Sequence, residues 1–210
     1  MLEQIHWLGH DTFRIDGPTT IYFDPYELDD GGPEADIIFI SHDHHDHCSP
    51  KDVDKIIGED TVIVTVAQAA DKLTGEMEIV KPGDTIEVRG IGVEAVPAYN
   101  VNKFRSPGNP YHPKDAGHVG FVITVNGQRI YHAGDTDLIP EMEDLRDIDI
   151  ALLPVSGTYV MTVEEAVQAA EMIQPELAIP MHVGRGIGSR EAAEMFKEKA
   201  PIDVVVLEME

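Results

Sequence analysis

The sequence predicts an α/β protein of the α+β kind, in which two β-sheets pack together and carry helices on their outer faces. Two observations predict this class. Short apolar strands joined by tight turns occupy much of the chain, and strand–helix units alternate with these hairpins. The chain has 210 residues, enough for one sizeable core, and no repeat or linker divides it. We therefore expect a single domain spanning residues 1–210.

The first half of the chain is predicted to contain short strands and two helices. Ser49 is expected to cap the first helix, because Pro50 follows it at the first helical position. A loop is expected at 26–35, where glycine and proline interrupt an acidic stretch. The predicted strands are 2–8, 12–16, 20–23, 36–40 and 61–66, with two or three more in 77–97, and the second helix is 67–73.

The second half begins with a stretch rich in Asn, Pro and Gly, the 98–117 segment. We predict no regular structure there and expect a lid or substrate loop, although an excursion without a role is the alternative. Thr162, with Glu165 three positions later, is expected to cap a helix that ends at Ile173, and Ser189 to begin the last helix. The predicted strands are 118–125, 129–133, 149–154, 177–180 and 204–207.

Acidic residues dominate the charge: 39 Asp and Glu against 15 Lys and Arg give a formal net charge of -24. Such a chain should repel nucleic-acid phosphates and anionic membranes, so neither partner is expected. No apolar run reaches the ~18 residues of a membrane helix, and the first residues lack the features of a signal peptide. One cysteine, Cys48, excludes an internal disulfide. We expect a cytoplasmic protein, which is compatible with a homo-oligomer.

Histidine and aspartate are concentrated directly after the predicted strand 36–40. His42, His44, Asp46 and His47 lie within six positions. Folds of this class usually place their sites at the carboxyl ends of strands, and imidazole with carboxylate suits Zn, Mn or Fe. One tetrahedral ion could not easily use all four side chains, which favours two ions sharing a bridge. A loosely binding surface tract is the alternative, but such tracts do not usually follow a buried strand.

The spacing His-x-His-x-Asp-His after an apolar strand resembles that of the metallo-β-lactamase-fold hydrolases. Further stretches along nearly the whole chain resemble motifs of the same superfamily. They are Trp7-Leu8-Gly9-His10, Phe23-Asp24-Pro25, Tyr131-His132-Ala133-Gly134-Asp135-Thr136 and Pro180-Met181-His182. The set most resembles the ascorbate-6-phosphate lactonase-like branch. The resemblance implies a four-layer αββα sandwich of two mixed β-sheets with helices outside, and a metal-dependent hydrolase.

The resemblance also implies which residues hold two divalent metal ions, with zinc as the expected metal and manganese or iron as alternatives. His42 and His44 would bind the first ion. Asp135 would bridge both ions, and Asp46 would act in catalysis by orienting a bridging hydroxide. The second ion would be bound by Asp46, His47 and His182. From the residues alone, Asp135 could also be a turn aspartate, and His182 a core histidine.

The chain departs from the family at the first metal ion. A third histidine is expected after the strand that precedes the 98–117 segment, but Tyr99 and Asn100 occupy that place. Neither is a strong zinc ligand. His112 is the candidate replacement and His118 a weaker one, and a site completed by water stays open.

Asp24 and His10 are expected behind the metal ligands, because metal-bound imidazoles usually donate their second N–H to a carboxylate or carbonyl. His45 and His132 are weaker candidates for a place in this outer layer.

Positive charge after His182 predicts a small anionic substrate. Arg185 lies in a glycine-rich stretch before the last helix, where backbone N–H groups and a guanidinium can bind phosphate. Lys103 and Tyr99 in the 98–117 segment are assigned to substrate binding as well. The alternative is a flexible glycine loop with solvated arginines.

The predicted function is a dinuclear metal hydrolase in which a metal-bridging hydroxide attacks an ester-type bond, a lactone or a phosphodiester. The alternative is a non-catalytic or redox metal-binding protein on the same fold, which the missing third histidine keeps open.

Overall fold

Apolar runs in the first part of the chain form one six-stranded sheet in a computed structural model, which describes residues 1–29 and 32–210. Strands β1 to β3 are antiparallel, and β3 to β6 are parallel. The strands, in their order across the sheet, are β1 (Ile5–Gly9), β2 (Thr12–Ile15), β3 (Ile21–Phe23), β4 (Ala35–Ile40), β5 (Ile57–Thr65) and β6 (Glu76–Ile79). The loop predicted at 26–35 includes residues 30 and 31, which lie outside the described residues.

The later strands form a second mixed sheet. Two of these strands, Val119–Val125 and Gln128–His132, are joined by Asn126 and Gly127. The φ angles of these two residues, 52° and 79°, are those that a tight hairpin turn requires. The strands are β7 (Thr85–Val88), β8 (Ile91–Pro97), β11 (Val119–Val125), β12 (Gln128–His132), β13 (Ile150–Pro154), β14 (Leu177–Met181) and β15 (Asp203–Val204). Their order across the sheet is β15-β14-β13-β12-β11-β8-β7. The four from β12 to β15 are parallel, as strand–helix units require.

The two sheets pack face to face through fully buried aromatic rings. Phe39 on β4 lies against Phe121 on β11, with ring centroids 4.9 Å apart, and stacks on Phe23 at 5.1 Å. Each fully buried phenylalanine contributes about 1.5–3 kcal/mol through loss of water contact. This core fixes the separation of the sheets and, with it, the positions of their strand ends.

The helices are α1 (Pro50–Ile56), α2 (Ala67–Ala70), α3 (Val163–Ile173) and α4 (Arg190–Lys199). The backbone N–H of Glu165 donates to the Thr162 hydroxyl at 3.2 Å, and the Glu165 carboxylate accepts from the Thr162 N–H at 2.8 Å. The capping box predicted for α3 is therefore present. Ser189 caps α4 through its hydroxyl alone, which accepts from the Ala192 N–H at 3.3 Å. The predicted α+β sandwich with helices is confirmed. Within the described residues, no helix is long and apolar enough to cross a membrane.

The 98–117 segment was predicted to lack regular structure, and this is wrong in part. It contains a two-stranded ribbon of β9 (Phe104–Ser106) and β10 (Asn109–Pro110), followed by a 3-10 helix at Lys114–Ala116. The ribbon forms because Pro107 and Gly108 lie between its strands. Proline presets the first turn position, and Gly108 takes a φ of 77° at the second. Two smaller differences from the predicted elements occur. The last strand, predicted at 204–207, covers only Asp203–Val204, and an unpredicted 3-10 helix spans Pro140–Asp144.

Candidate metal centre

The candidate site lies where carboxyl ends of strands from both sheets meet. His10 and Asp11 follow β1, the 42–47 cluster follows β4, Asp135 follows β12, and His182 follows β14. Two backbone hydrogen bonds join the sheets here: the His10 N–H donates to the Val183 carbonyl at 3.0 Å, and the His182 N–H to the His10 carbonyl at 3.2 Å. These bonds hold His10 and His182 at φ angles of 53° and 58°, which non-glycine residues rarely adopt.

One group of histidines combines the cluster with the 98–117 segment. The Nδ1 atom of His44 lies 3.1 Å from Nε2 of His42 and 3.1 Å from Nε2 of His112. His112 is buried, and Asn100 holds it in place. The Asn100 Oδ1 atom accepts from the His112 backbone N–H at 2.8 Å and from its Nδ1 at 2.9 Å. The structure thus brings His112 together with His42 and His44, while His118 lies outside this group, 3.8 Å from Asp43.

The second group surrounds Asp135. Its Oδ1 atom lies 3.3 Å from Nε2 of His47 and 3.3 Å from Nε2 of His182. Its Oδ2 atom lies 3.2 Å from Nε2 of His112. The two oxygens of one carboxylate therefore face two different sets of imidazoles.

The imidazole rings are oriented by hydrogen bonds on their outer side. Nδ1 of His47 donates to Asp24 at 2.8 Å, and Nδ1 of His182 to the Ser156 hydroxyl at 2.8 Å. Nδ1 of His42 donates to the Ser41 hydroxyl at 3.0 Å, because that hydroxyl itself donates to Asp24. With His112 held by Asn100, four rings turn Nε2 toward the centre. In metal sites, hydrogen bonds of this kind at the second ring nitrogen orient the ligands, and here Asp24 accepts from both His47 and Ser41.

Several nitrogen and oxygen atoms at the centre that could bind a metal are buried without a hydrogen-bond partner. They include Nε2 of His47, Nε2 of His182 and Oδ1 of Asp135, although each of the two nitrogens lies 3.3 Å from that oxygen. Both Asp11 oxygens and Nδ1 of His10 share this state. Burying polar atoms without partners costs free energy, so such clusters normally hold an ion or water. The donor set fits divalent cations that accept nitrogen and oxygen ligands.

The protonation equilibria also favour cations at this place. Burial lowers the pKa of His42 well below its ordinary value, and burial with His112 nearby lowers that of His44 to about 4. Neutral rings leave lone pairs free for a metal. Burial opposes charge on His47, but the carboxylates of Asp135 and Asp24 outweigh it and raise its pKa well above 6.5. Positive charge is therefore favourable beside Asp135.

Asp46 and His45 stand at the entrance to the centre. The Asp46 side chain is 21% exposed, and its Oδ2 lies 3.7 Å from Nε2 of His10. His45 is exposed and lies 3.5 Å from the other Asp46 oxygen. A cavity of about 400 Å³ opens here, lined by His44, His45, Asp46, Arg105, Tyr111, His112, Asp135 and Tyr159.

The three residues assigned to substrate binding do not line this cavity. Arg185 lines a separate cavity, where Nη2 donates to the Leu8 carbonyl at 3.4 Å. Lys103 pairs with Glu165 at 2.7 Å and Asp137 at 3.3 Å. Carboxylates of the chain itself therefore neutralise Lys103 and Arg185, which leaves neither cation free to bind an anionic substrate.

The Tyr99 hydroxyl is also engaged elsewhere, because it donates to Glu141 at 2.9 Å and accepts from Lys114 at 3.1 Å. Its side chain is therefore held away from the cavity.

His132 stacks on Phe23 at 4.8 Å and belongs to the core. Cys48 is buried, and burial raises the pKa of its thiol to about 11, so the thiol stays protonated.

Sequence reasoning missed Asp11 and the aromatic wall of the cavity. Asp11 follows His10 at a strand end, which is the same kind of position that revealed the other site residues. Tyr111 and Tyr159 pack at 4.4 Å, and the Arg105 guanidinium lies 5.1 Å from the Tyr111 ring centroid. Arg105 and Tyr111 belong to the 98–117 segment, but Tyr159 lies far from them in sequence, so no local motif indicated the wall.

A sandwich of two mixed sheets with outer helices and a histidine–aspartate cluster at its strand ends defines the metallo-β-lactamase class of metal-dependent hydrolases. A model of the beta-lactamase superfamily domain matches residues 4–182. The chain belongs to the UPF0173 metal-dependent hydrolase family within this class. It is 36% identical over 199 residues to the Methanoculleus marisnigri member, an alignment that covers 92% of this chain and 87% of that protein.

Other relatives support the same assignment. The Thermoplasma acidophilum member is 36% identical over 213 residues, covering 94% of this chain and 90% of its own. A crystal structure described as a metal-dependent hydrolase from Parabacteroides distasonis has a TM-score of 0.85 and 38% identity, covering 98% of this chain and 93% of that one. A metallo hydrolase from Ignicoccus hospitalis, at 22% identity and a TM-score of 0.74 with coverage of 97% and 94%, shares the fold. The predicted class, a metal-dependent hydrolase, is confirmed.

Proposed function

We propose that this hydrolase uses two divalent metal ions, with zinc expected, to open an ester-type bond in a small anionic molecule. The bond is a lactone or a phosphodiester, in keeping with the motifs that resemble the lactonase-like branch. One observation carries the proposal: the Oδ2 atom of Asp135 faces His112 at 3.2 Å, while its Oδ1 atom faces His47 and His182 at 3.3 Å each. A carboxylate placed between two sets of imidazoles is suited to bridge two ions.

The first ion would be held by His42, His44 and His112. The second would be held by His47 and His182, with Asp46 approaching from the cavity and Asp135 shared between both ions. When bound, two such cations supply a water of lowered pKa as nucleophile and stabilise the developing oxyanion. His112 fills the place of the missing third histidine in this proposal.

The side chains at the cavity would position the substrate and its nucleophile. Asp46 is the part-exposed carboxylate at the entrance, and we assign it the role of orienting the attacking water through a hydrogen bond. Arg105 replaces Arg185, Lys103 and Tyr99 as the substrate-binding candidate. Its Nη2 atom lies 3.4 Å from Nε2 of His44. Its charge favours an anionic group near the ions.

Metal analysis combined with a hydrolysis screen tests the proposal. We expect two ions per chain in the wild type, together with turnover of a lactone or phosphodiester. Asp135→Ala should lose metal and activity together, because it removes the shared ligand. His45→Ala is the matched control for metal content, since this histidine of the same cluster is exposed and holds no assigned ion.

A folded Asp135→Ala protein that retains two ions would contradict the dinuclear assignment. Two ions without turnover of any ester would favour the non-catalytic or redox alternative.

A further inference from the structure

Asp11 carries a buried carboxyl group whose two oxygens have no hydrogen-bond partner. The residue is fully buried. Other buried aspartates differ. Asp24 accepts from the backbone and hydroxyl of Ser41, and Asp52 accepts from the backbone N–H groups of Glu27 and Leu28. A buried carboxylate without such donors is costly, so its place in the fold needs another explanation.

The surroundings of Asp11 are those of a ligand. One donor atom from each of His10, Asp11, His47 and His182 lies within 4.8 Å of the others, and all four residues are buried. Oδ2 of Asp11 lies 3.9 Å from Nδ1 of His47. Asp46 is outside this group and partly exposed. A carboxyl group therefore lies on the buried side of the His47 and His182 imidazoles.

We propose that Asp11 is a ligand of the second metal ion and binds it from the buried side, opposite Asp46. The proposal rests on the dinuclear function above, because it requires a second ion. It gives the two sites different chemistry. The first has three imidazoles and a share of Asp135, whereas the second gains carboxylate oxygen from Asp11. Oxygen donors favour harder cations, so the second site should accept Mn²⁺ more readily than the first.

The test measures metal binding by the whole chain after substitution of Asp11. Wild type, Asp11→Asn and Asp11→Ser are stripped of metal and titrated with Zn²⁺ and Mn²⁺ against a competing chelator. We expect both variants to keep the first ion and to bind the second ion more than about 100-fold more weakly, because loss of an outer partner alone weakens metal binding only about 10–100-fold. Preference for Mn²⁺ at the second site should also fall. Asp52→Asn is the matched control, because Asp52 is equally buried and lies outside the ligand groups.

A purely structural role for Asp11 makes the opposite prediction. It requires the metal-free variants to melt at lower temperature than metal-free wild type and to bind the second ion normally. A ligand role predicts that metal-free Asp11→Asn melts no lower, since the substitution removes an uncompensated carboxylate. Unchanged affinity for the second ion in either variant overturns the proposal.

Anomalous diffraction from metal-loaded wild type keeps the test independent of how the variants fold. An Asp11 oxygen about 2.0–2.2 Å from the second ion supports the proposal, and a distance beyond about 3 Å overturns it. Failure of the dinuclear function is distinguishable. In that case the wild type itself binds no second ion, whereas failure of the Asp11 proposal alone leaves two ions bound without Asp11 touching either.

Discussion

Replacing Asn100 with alanine should weaken the first metal site, although Asn100 itself would bind no metal. The amide is 6% exposed and makes three hydrogen bonds. Its oxygen accepts from the backbone N–H of His112 at 2.8 Å and from the ring Nδ1 at 2.9 Å. Its nitrogen donates to the Tyr159 carbonyl at 2.8 Å. Asn100→Ala therefore frees the one imidazole that reaches the first group from the 98–117 segment.

The size of the effect follows from these contacts. Each hydrogen bond contributes about 0.5–1.5 kcal/mol, so three of them amount to about 1.5–4.5 kcal/mol of folding free energy. Loss of the hydrogen bond behind a metal-binding histidine typically weakens metal binding about 10–100-fold. That change corresponds to about 1.4–2.7 kcal/mol at the first site. The second ion should bind as in wild type, because His47 and His182 keep their own partners, Asp24 and Ser156.

The assay is a zinc titration against a chelator of known affinity, with melting curves of the metal-free proteins measured in parallel. Asn102→Ala is the matched control. Asn102 lies two positions away and is exposed, and its amide contacts Glu165 outside the centre. A folded Asn100→Ala protein that binds both ions with wild-type affinity would refute the reasoning, since His112 would then need no support or bind no metal.

Further predictions concern single contacts. His112→Ala should lose the first ion and keep the second, as counted by metal analysis, and unchanged stoichiometry would remove His112 from the site. Arg105→Ala should raise KM for an accepted anionic substrate about tenfold or more, because a charge-assisted contact is lost, while Arg185→Ala, in a separate cavity, leaves KM unchanged. Equal effects of the two arginine variants would contradict this. Thr162→Ala should lower the free energy of unfolding by about 1 kcal/mol through loss of the α3 cap, measured by denaturant titration, with Thr158→Ala as the control.

Local signals made much of the fold and part of the site predictable. The 42–47 cluster is contiguous in sequence, so its residues necessarily share one loop, and the apolar strand before it fixed where that loop lies. The Thr162 capping box was likewise readable, because its two partners are three positions apart. His112 was identified as a candidate since the place of the third histidine was unfilled. Its roles and those of the other assigned ligands stay predictions until metal binding is measured.

Other features depend on contacts between residues far apart in sequence. Arg185 follows His182 closely, yet the left-handed backbone at both residues, with φ of 58° and 51°, redirects the chain and carries the guanidinium toward Leu8. Lys103 forms an ion pair with Glu165, which lies on α3. Asp11 follows a strand end as the other site residues do, but this position did not identify it, because a single aspartate between two strands is usually a turn residue. Only the packing of the sheets shows that it is buried without a partner.

The 98–117 segment contributes both a candidate metal ligand, His112, and the candidate substrate-binding residue, Arg105. A metal ion bound by His112 would also hold Arg105, on the same segment, in place at the cavity. Removal of the metal should therefore weaken discrimination between bound ligands as well as abolish turnover. In the same way, lengthening or shortening this excursion would retune ion retention and molecular preference in a single step.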